Sequence, residues 1–275
     1  MSRSGSRKPR FTQLLSSASH LERYFESDIS RAVEKLALRK DMFTLLTFVS
    51  NKKVVGTQST GNMPLKMIRE LTAKFTNPPM LDHQIGDIVY KLRTEDEVWQ
   101  LSFLHVLGEV GGLLKTPRAK QWRLTSAGKK FLQKPPLIQL WYLLATWWLR
   151  VNWLVAYPFE GMGESLPPYF ASHTLAYLAK IPVHQRIDFE EFADALIEET
   201  GLTWTSRDTT YHAMFLRSSI ERMVIDISFS FGMLTTEYQE KPLGTGKTFE
   251  LVSFKMNDLG KILLEAIIVT QIQLR

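Results

Sequence analysis

The chain of 275 residues contains no cysteine. This absence excludes disulfide bonds, thiolate-ligated zinc, iron–sulfur clusters and cysteine nucleophiles, and it suits a reducing compartment, so we expect a cytoplasmic protein. Residues 1–10 are basic and polar, with no apolar segment behind them. They do not have the pattern of a secretory signal, and we predict that they form a flexible basic arm.

Signatures of catalysis are also lacking. The segment 242–248 looks like a phosphate-binding loop, but Lys241 stands where that motif needs glycine, and a strand is predicted where it needs a helix. The six histidines show no metal-ligand spacing, and His105 is predicted to be a packed core residue. Glu160 and Glu164 lack a partner nucleophile and are predicted to be solvated. We therefore predict a non-enzymatic protein without cofactor or metal.

Long apolar runs are limited to one, residues 137–157. As a helix it would span about 31 Å, enough to cross a bilayer. However, Gln139, Arg150 and Asn152 interrupt it, and a central arginine costs roughly 2.5–3.5 kcal/mol on insertion. We therefore predict no membrane span, but a buried helix that joins two domains and is broken near Arg150. Its four tryptophans are expected to be buried between those domains: Trp141, Trp147, Trp148 and Trp153.

Two distant stretches, residues 98–132 and 220–264, share one order of predicted elements. Each begins with an amphipathic helix and continues with a strand that starts Gly-Leu-Leu or Gly-Met-Leu. A turn-rich hairpin, a second strand and a helix begun near a glycine follow. With 44% hydrophobic and 23% charged residues the chain is foldable, and the repeat favours two domains.

Positive charge is unevenly distributed along the chain, whose net charge is +6. Residues 111–150 contain eight basic residues and no acidic one, whereas residues 151–200 contain two basic and eight acidic residues. Like charge collected in one segment is what a surface for a polyanion needs. The alternative is a solvated face whose counter-charges lie elsewhere in the fold.

Residues 94–132 and 217–264 resemble the winged helix-turn-helix superfamily. The resemblance rests on the Gly-Leu-Leu start, the hairpin and the Leu-Thr-x-x-Gly-x-x-Phe-Leu series of residues 124–132. That series, followed by Pro-Pro and the Trp-rich helix, is similar to winged-helix segments of bacterial helicase-associated proteins. The Thr-Gly-Asn-Met-Pro run of residues 60–64 is similar to a bacterial family named after a root-inducing-plasmid reading frame. These resemblances imply nucleic-acid binding or protein docking and supply no catalytic residues.

The fold predicted from these patterns is mainly α with small β-hairpins, an α+β protein. Tandem winged-helix domains are joined in it by the hydrophobic Trp-rich helix. The expected parts are the arm at 1–10, a first winged-helix domain with N-terminal helices at 11–135, a connecting helix and loop at 136–170, and a second winged-helix domain at 171–275.

The predicted interface lies on the hairpins that follow each repeated helix, on the helix after the first hairpin and on the helix of the second repeat. Their cations would contact phosphates, which gives affinity without sequence information. The helix before the first hairpin is expected to expose Glu95, Asp96, Glu97, Gln100 and Glu109, and carboxylates are repelled by the phosphates that flank a major groove. The predicted nucleic-acid-binding residues are Lys115, Arg118, Lys120, Gln121, Arg123, Lys129, Lys130, Arg217, Arg222, Lys241 and Lys247.

We therefore expect a non-enzymatic nucleic-acid-binding protein whose partner is duplex DNA, with a regulatory or mobile-element-associated role. The alternative is a docking scaffold in which the winged helices bury protein instead of DNA. The apolar terminal run 263–274 predicts a homodimer helix, although it would equally close the core of the second domain.

Overall fold

The structure is a computed structural model that describes residues 11–85, 87–156, 166–167, 169–204, 211–243 and 246–273. The predicted basic arm and most of the predicted loop at 159–168 lie outside these residues. The chain divides into two compact units, Met1–Val151 and Asn152–Arg275. Both mix α-helix with small antiparallel sheets and are mostly helical, which confirms the predicted fold class at this level.

The first unit contains seven helices within the described residues. They are α1 (Phe11–Ser17), α2 (Asp28–Lys35), α3 (Ala37–Asn51), α4 (Leu65–Thr72), α5 (Trp99–Val110), α6 (Ser126–Leu132) and α7 (Pro136–Leu149), with 3-10 turns at Ser19–Tyr24 and Glu95–Glu97. Two antiparallel hairpins complete it: β1 (His83–Ile85) with β2 (Ile88–Tyr90), and β3 (Leu114–Lys115) with β4 (Arg123–Leu124).

Helix α7 forms the core of the first unit. Pro136 lies in its first turn, where the missing N–H of proline costs nothing. Every residue from Leu137 to Trp148 is buried, and the helix packs against α1, α2, α3 and α5. The expected connecting helix is therefore core of the first unit, which buries Trp141 and Trp147 completely. A helix that is apolar all round must be enclosed in this way.

Two of the polar residues that interrupt the apolar run, Gln139 and Arg150, make hydrogen bonds inside the first unit. The Nε2 atom of Gln139 donates to the Phe131 carbonyl at 3.1 Å, and its Oε1 atom accepts from Arg39 at 2.9 Å. Arg150 ends α7 and donates to the Gly111 carbonyl at 3.3 Å. The predicted break near Arg150 is thus confirmed. No helix among the described residues is both long and apolar enough to cross a membrane.

The second unit contains a three-stranded sheet covered by helices. Its described helices are α8 (Trp153–Ala156), α9 (Phe170–Lys180), α10 (Phe189–Thr200), α11 (His212–Ile220), α12 (Asp226–Ser230) and α13 (Asp258–Gln273), with a π turn at Glu221–Ile225. Its strands are β5 (Arg186–Asp188), β6 (Leu234–Leu243) and β7 (Gly246–Met256). Asp188 caps α10 by accepting from the Glu191 N–H at 3.1 Å, as Asp does at helix N-termini.

The repeat seen in the sequence is also a repeat of backbone geometry. Gly112 and Gly232 both end a helix with φ 71°, a left-handed conformation that favours glycine. Each donates its N–H to a carbonyl three residues earlier at 2.8 Å. Leu113 and Met233 follow, and each bonds back to the helix that precedes it. The Gly-Leu-Leu and Gly-Met-Leu starts are therefore the same turn from helix to strand.

The helix that follows each hairpin is capped in the same way. The Thr125 side chain accepts from the Gly128 N–H, and the Asn257 side chain accepts from the Gly260 N–H, both at 2.9 Å. A Cβ atom on Gly128 would collide with the carbonyl oxygen of Leu113, and one on Gly260 would collide with that of Met233. The Leu-Thr-x-x-Gly series therefore encodes a cap and a close helix–strand approach.

The order of elements is also alike in the two units. In the second unit α9, β5, α10 and α11 precede the hairpin, and the strand order is β5-β7-β6. In the first unit α3, an isolated bridge at Val55, α4 and α5 precede the hairpin β3–β4. Val55 pairs antiparallel with Gln121, on the approach to β4. The bridge residue Val55 in the first unit and β5 in the second therefore each pair with the returning arm of the hairpin. The first unit differs in that the hairpin β1–β2 lies between α4 and α5.

Helix α13 closes the core of the second unit. Leu263, Leu264 and Ile267 are buried in it, and it packs against α9. Val269 and Ile272 remain exposed. The terminal apolar run was expected either to form a homodimer helix or to close the core of the second domain. The structure shows it closing that core.

Candidate nucleic-acid interface

The first hairpin, defined as residues 114–124, is short, and its base is anchored by the buried side chain of Leu114. Leu114 pairs with Leu124, and Lys115 pairs with Arg123. Leu114 is buried, whereas Lys115 and Arg123 are exposed. Because successive side chains of a strand point to opposite faces, a leucine in the core places the neighbouring cation in solvent.

The tip of the first hairpin is held by the segment 54–57 that precedes α4. Val55 pairs with Gln121, which leaves Gln121 half-buried. Three backbone hydrogen bonds extend this contact: Trp122 N to Val54 O at 2.8 Å, Gly56 N to Lys120 O at 3.0 Å, and Ala119 N to Thr57 O at 3.2 Å. A hairpin fixed on one side in this way holds its remaining side chains in a constant orientation.

Trp122 anchors the first hairpin to the core. It is fully buried, and its indole N–H donates to the Gly61 carbonyl at 3.0 Å. The centroid of its ring lies 4.4 Å from that of the His105 ring on α5. Burial of an aromatic ring whose polar atom is satisfied is a large local stabilisation.

The Thr-Gly-Asn-Met-Pro run braces the first hairpin. Gly61 accepts from Trp122, as described above. Asn62 donates to the Asp96 carboxylate at 3.2 Å, and the backbone N–H of Met63 donates to Glu95 at 2.5 Å. The run therefore ties the first hairpin to the turn that precedes α5.

The expectation that Glu95 is exposed was wrong. Glu95 is 2% exposed, and its second oxygen lies 2.5 Å from Nδ1 of His105. Its carboxylate is buried because it satisfies the Met63 N–H and the His105 ring at once. Asp96 and Glu97 are exposed, but they lie in a 3-10 turn before α5, where Glu97 accepts from Arg93. His105 is largely buried, as predicted for a packed core residue. Its Nδ1 atom meets Glu95, whereas its Nε2 atom is buried without a hydrogen-bond partner among the described residues and lies 3.9 Å from the Glu109 carboxylate.

Six of the predicted site residues form one set of exposed cations on the first hairpin and on α6. Among the residues that the structure describes, no carboxylate lies within 4 Å of their charged groups. We call this set the cation row, and its members are Lys115, Arg118, Lys120, Arg123, Lys129 and Lys130. Unpaired like charges on a fixed hairpin produce a positive potential that a polyanion can neutralise.

Helix α5, which precedes the cation row, offers few groups that read bases. Leu101, Leu104 and Leu107 turn into the core. On the outer side, Trp99 is 40% exposed and Glu109 is exposed, whereas Gln100, expected in solvent, is half-buried. Trp99 and Glu109 do not provide the paired donors that distinguish base edges, which leaves the half-buried amide of Gln100 as the one such group described on this side.

The second unit holds one predicted site residue, Arg217, in an ion-pair cluster. Its guanidinium donates to both oxygens of Asp194 at 2.8 and 2.6 Å, and it lies 2.8 Å from Glu190. The hydrogen bonds to Arg217 hold the pKa of the Asp194 carboxyl below its usual range. Two carboxylates thus neutralise this arginine, and it fixes α11 on α10.

The second hairpin, β6 with β7, carries the other two predicted lysines in ion pairs. Lys241 pairs with Glu250, and Lys247 lies 2.6 Å from Glu240. Both pairs connect β6 to β7 across the ladder. Opposite charges on facing strands stabilise the pairing modestly and cancel each other electrostatically. Arg222, the last predicted cation, is exposed on the π turn.

Acidic groups lie beside Arg222. Burial raises the pKa of Glu221, and the nearby Asp226 raises it further. Burial also raises the pKa of Asp226. Burial together with these two carboxylates raises the pKa of Tyr238 to about 12. Burial is the main cause of all three shifts, and neighbouring carboxylates add to those of Glu221 and Tyr238.

The two units differ in net charge as a whole. The first contains 24 Lys and Arg against 12 Asp and Glu, a net charge of +12. The second contains 10 against 16, a net charge of −6. The net charge of +6 for the whole chain is therefore the sum of two units of opposite net charge.

The carboxylate partners of Arg217, Lys241 and Lys247 were not foreseen from the sequence. A partial signal was present, because Glu190 and Asp194 lie four positions apart and share one face of α10. The described residues contain no group of three or more His, Asp and Glu that would hold a metal ion. Comparisons of the chain with protein-family models, with curated proteins and with solved structures find no match.

Proposed function

We propose that this chain is a non-enzymatic nucleic-acid-binding protein and that its first unit contacts the phosphates of duplex DNA. The observation that carries the proposal is the cation row, six exposed cations on a clamped hairpin and the helix after it that have no carboxylate partner among the described residues. Neutralisation of phosphates by such residues releases counterions and drives binding.

We propose further that both units are winged-helix domains and that the two hairpins are their wings. The support is the shared order of helix, extended segment, two helices, hairpin and helix, in which the extended segment pairs with the returning arm of the hairpin; in the first unit the segment is the bridge at Val55 and the hairpin β1–β2 is inserted between the two helices. The identical turns at Gly112 and Gly232 and the matching caps at Thr125 and Asn257 add to it. In winged helices of this order, the helix before the wing is the element that enters a groove.

The proposed binding is independent of base sequence. In the first unit, α5 turns its leucines inward and presents Trp99 and Glu109 outward. Phosphate contacts position a protein on DNA but carry no sequence information. A role that needs general DNA affinity, or placement by a second factor, fits this surface.

The test is a salt titration of the full-length chain on a labelled duplex. The logarithm of the affinity should fall linearly with the logarithm of salt concentration, with a slope near −0.9 per neutralised phosphate. The double variant Arg118→Ala/Lys120→Ala should weaken binding to all sequences alike and flatten the slope by up to about two units. The matched control is Lys241→Ala/Lys247→Ala, which removes two paired lysines and should leave the slope unchanged.

An unchanged slope in Arg118→Ala/Lys120→Ala would show that the cation row is not the contact surface for DNA. Protein docking would then be the favoured function of the first unit. A homodimer through α13 stays a prediction. Light scattering of the full chain at high protein concentration measures it, and a monomer there contradicts it.

A further inference from the structure

A groove of about 340 Å³ lies in the second unit between α10, α11 and β7. Of its apolar lining residues, Met214 is exposed, whereas Phe189 and Leu251 are buried. Glu190, Glu221 and Glu250 contribute carboxylates to its lining, and Arg217 contributes one cation. Exposed apolar surface beside an excess of carboxylates suits an amphipathic, cationic side chain.

The cations near this groove are already used inside the second unit. Arg217 is bound by Glu190 and Asp194, and Lys241 is bound by Glu250. In the part of the chain that the structure describes, Glu221 has no ion-pair partner. Asp226 and Glu250 act on it with the same sign of charge, and Arg222 acts against them. A carboxylate that is half-buried among like charges is destabilised, and a cation placed in the groove would relieve it.

We propose that this groove binds a cationic, apolar segment of a partner protein, with an arginine or lysine of that segment paired to Glu221. The occupant follows from charge complementarity, because the net charge of −6 on this unit repels a polyanion and attracts a cation. Arginine and lysine bury their aliphatic stems on apolar surface while the charged end reaches a carboxylate. Met214, 54% exposed, supplies adaptable apolar surface for such a stem.

The site is distinct from the cation row and does not depend on DNA binding by the first unit. The shared topology places the groove beside α11, the counterpart of α5. One scaffold therefore carries a cationic surface in the first unit and an anionic groove in the second.

The probe is a fluorescein-labelled nonapeptide of alternating leucine and arginine, and its binding to the full-length chain is followed by anisotropy. We expect the parent to bind it and to ignore a peptide with glutamate in place of arginine. Glu221→Gln should weaken binding roughly tenfold, the effect of losing one charge-assisted contact. Met214→Ser should weaken it several-fold, because the apolar half of the contact is lost.

The matched control is Glu265→Gln, which removes an exposed carboxylate on α13 without touching the groove. Equal losses in Glu221→Gln and Glu265→Gln would show attraction by net charge alone and would overturn the proposal, as would a parent that does not bind the peptide. Self-association that Glu221→Gln abolishes would assign the groove to a second copy and also overturn it.

Two further measurements separate this proposal from the one on DNA. Glu221→Gln should leave DNA affinity unchanged, and Arg118→Ala/Lys120→Ala should leave peptide affinity unchanged. Loss of DNA binding in Glu221→Gln would place DNA in the groove and overturn the assignment to a protein partner. Circular dichroism checks that each variant is folded.

Discussion

The two hairpins of this protein have similar scaffolds and different electrostatics. The first hairpin and the helix after it carry six cations without a described partner, whereas Lys241 and Lys247 of the second hairpin each meet a glutamate on the facing strand. The turns that enter the hairpins and the caps that follow them are the same. The comparison teaches that scaffold and surface vary independently, and that a count of lysines predicts a polyanion surface only when their partners are known.

The turns and caps also explain why the repeat was predictable. A glycine with positive φ and a threonine or asparagine cap act through atoms within a few residues of themselves. Such requirements leave a trace in the local sequence, and Gly112 and Thr125 display it.

The largest effect should come from the anchor of the first hairpin. Trp122→Ala removes a fully buried ring and its hydrogen bond to Gly61, and it should lower the free energy of unfolding by about 3–5 kcal/mol. Urea denaturation measures this. The control is Trp99→Ala, at a position 40% exposed, for which we expect a much smaller loss. Similar losses in the two variants would show that Trp122 is not what holds the hairpin.

Next in size should be a change that converts the second hairpin into a copy of the first. Glu240→Gln/Glu250→Gln frees Lys241 and Lys247 without changing their positions. If only the ion pairs prevent these lysines from contacting phosphates, affinity for duplex DNA at low salt should rise on the order of tenfold. The salt slope should also steepen by up to about two units. A salt slope equal to that of the parent would show that the second hairpin is turned away from DNA for another reason.

What the sequence did not reveal depends on contacts between distant residues. Arg217 and its partner Asp194 are 23 positions apart and meet only because α11 packs on α10. The pairing of Lys247 with Glu240 depends on the register of a ten-residue ladder. Glu95 was expected in solvent because acidic residues before a helix are usually exposed, and its burial follows from two partners, Met63 and His105, that lie in other segments.

A smaller effect concerns the acidic face of the second unit. Burial raises the folded-state pKa of Glu221 above its unfolded value, so the folded state binds that proton more tightly. The folded protein therefore loses stability as pH rises from the unfolded pKa through the raised one, and it carries the full penalty above the raised pKa. Asp226 and Glu250 add to the penalty, and Arg222 opposes it.

Glu221→Gln should accordingly raise the free energy of unfolding at pH 7 by roughly 0.5–1 kcal/mol and have little effect near pH 4. Denaturation at both pH values measures the difference, with Glu265→Gln as the control that should show no such dependence. A destabilisation at pH 7 would mean that the charge of Glu221 is satisfied within the fold, and it would also weaken the case for a cationic occupant.

The smallest effect on stability should come from a matched pair of lysines, one on each surface. Lys247→Ala breaks an exposed ion pair with Glu240, and Lys129→Ala removes an exposed cation from the cation row. Exposed pairs contribute about 0–1 kcal/mol, so both variants should keep the melting temperature of the parent within a few degrees. They should differ on DNA, because Lys129→Ala should reduce the salt slope by about 0.9 and Lys247→Ala by nothing. Equal slopes in the two variants would contradict the assignment of DNA binding to the cation row, because Lys129 and the ion-paired Lys247 would then contribute equally to binding.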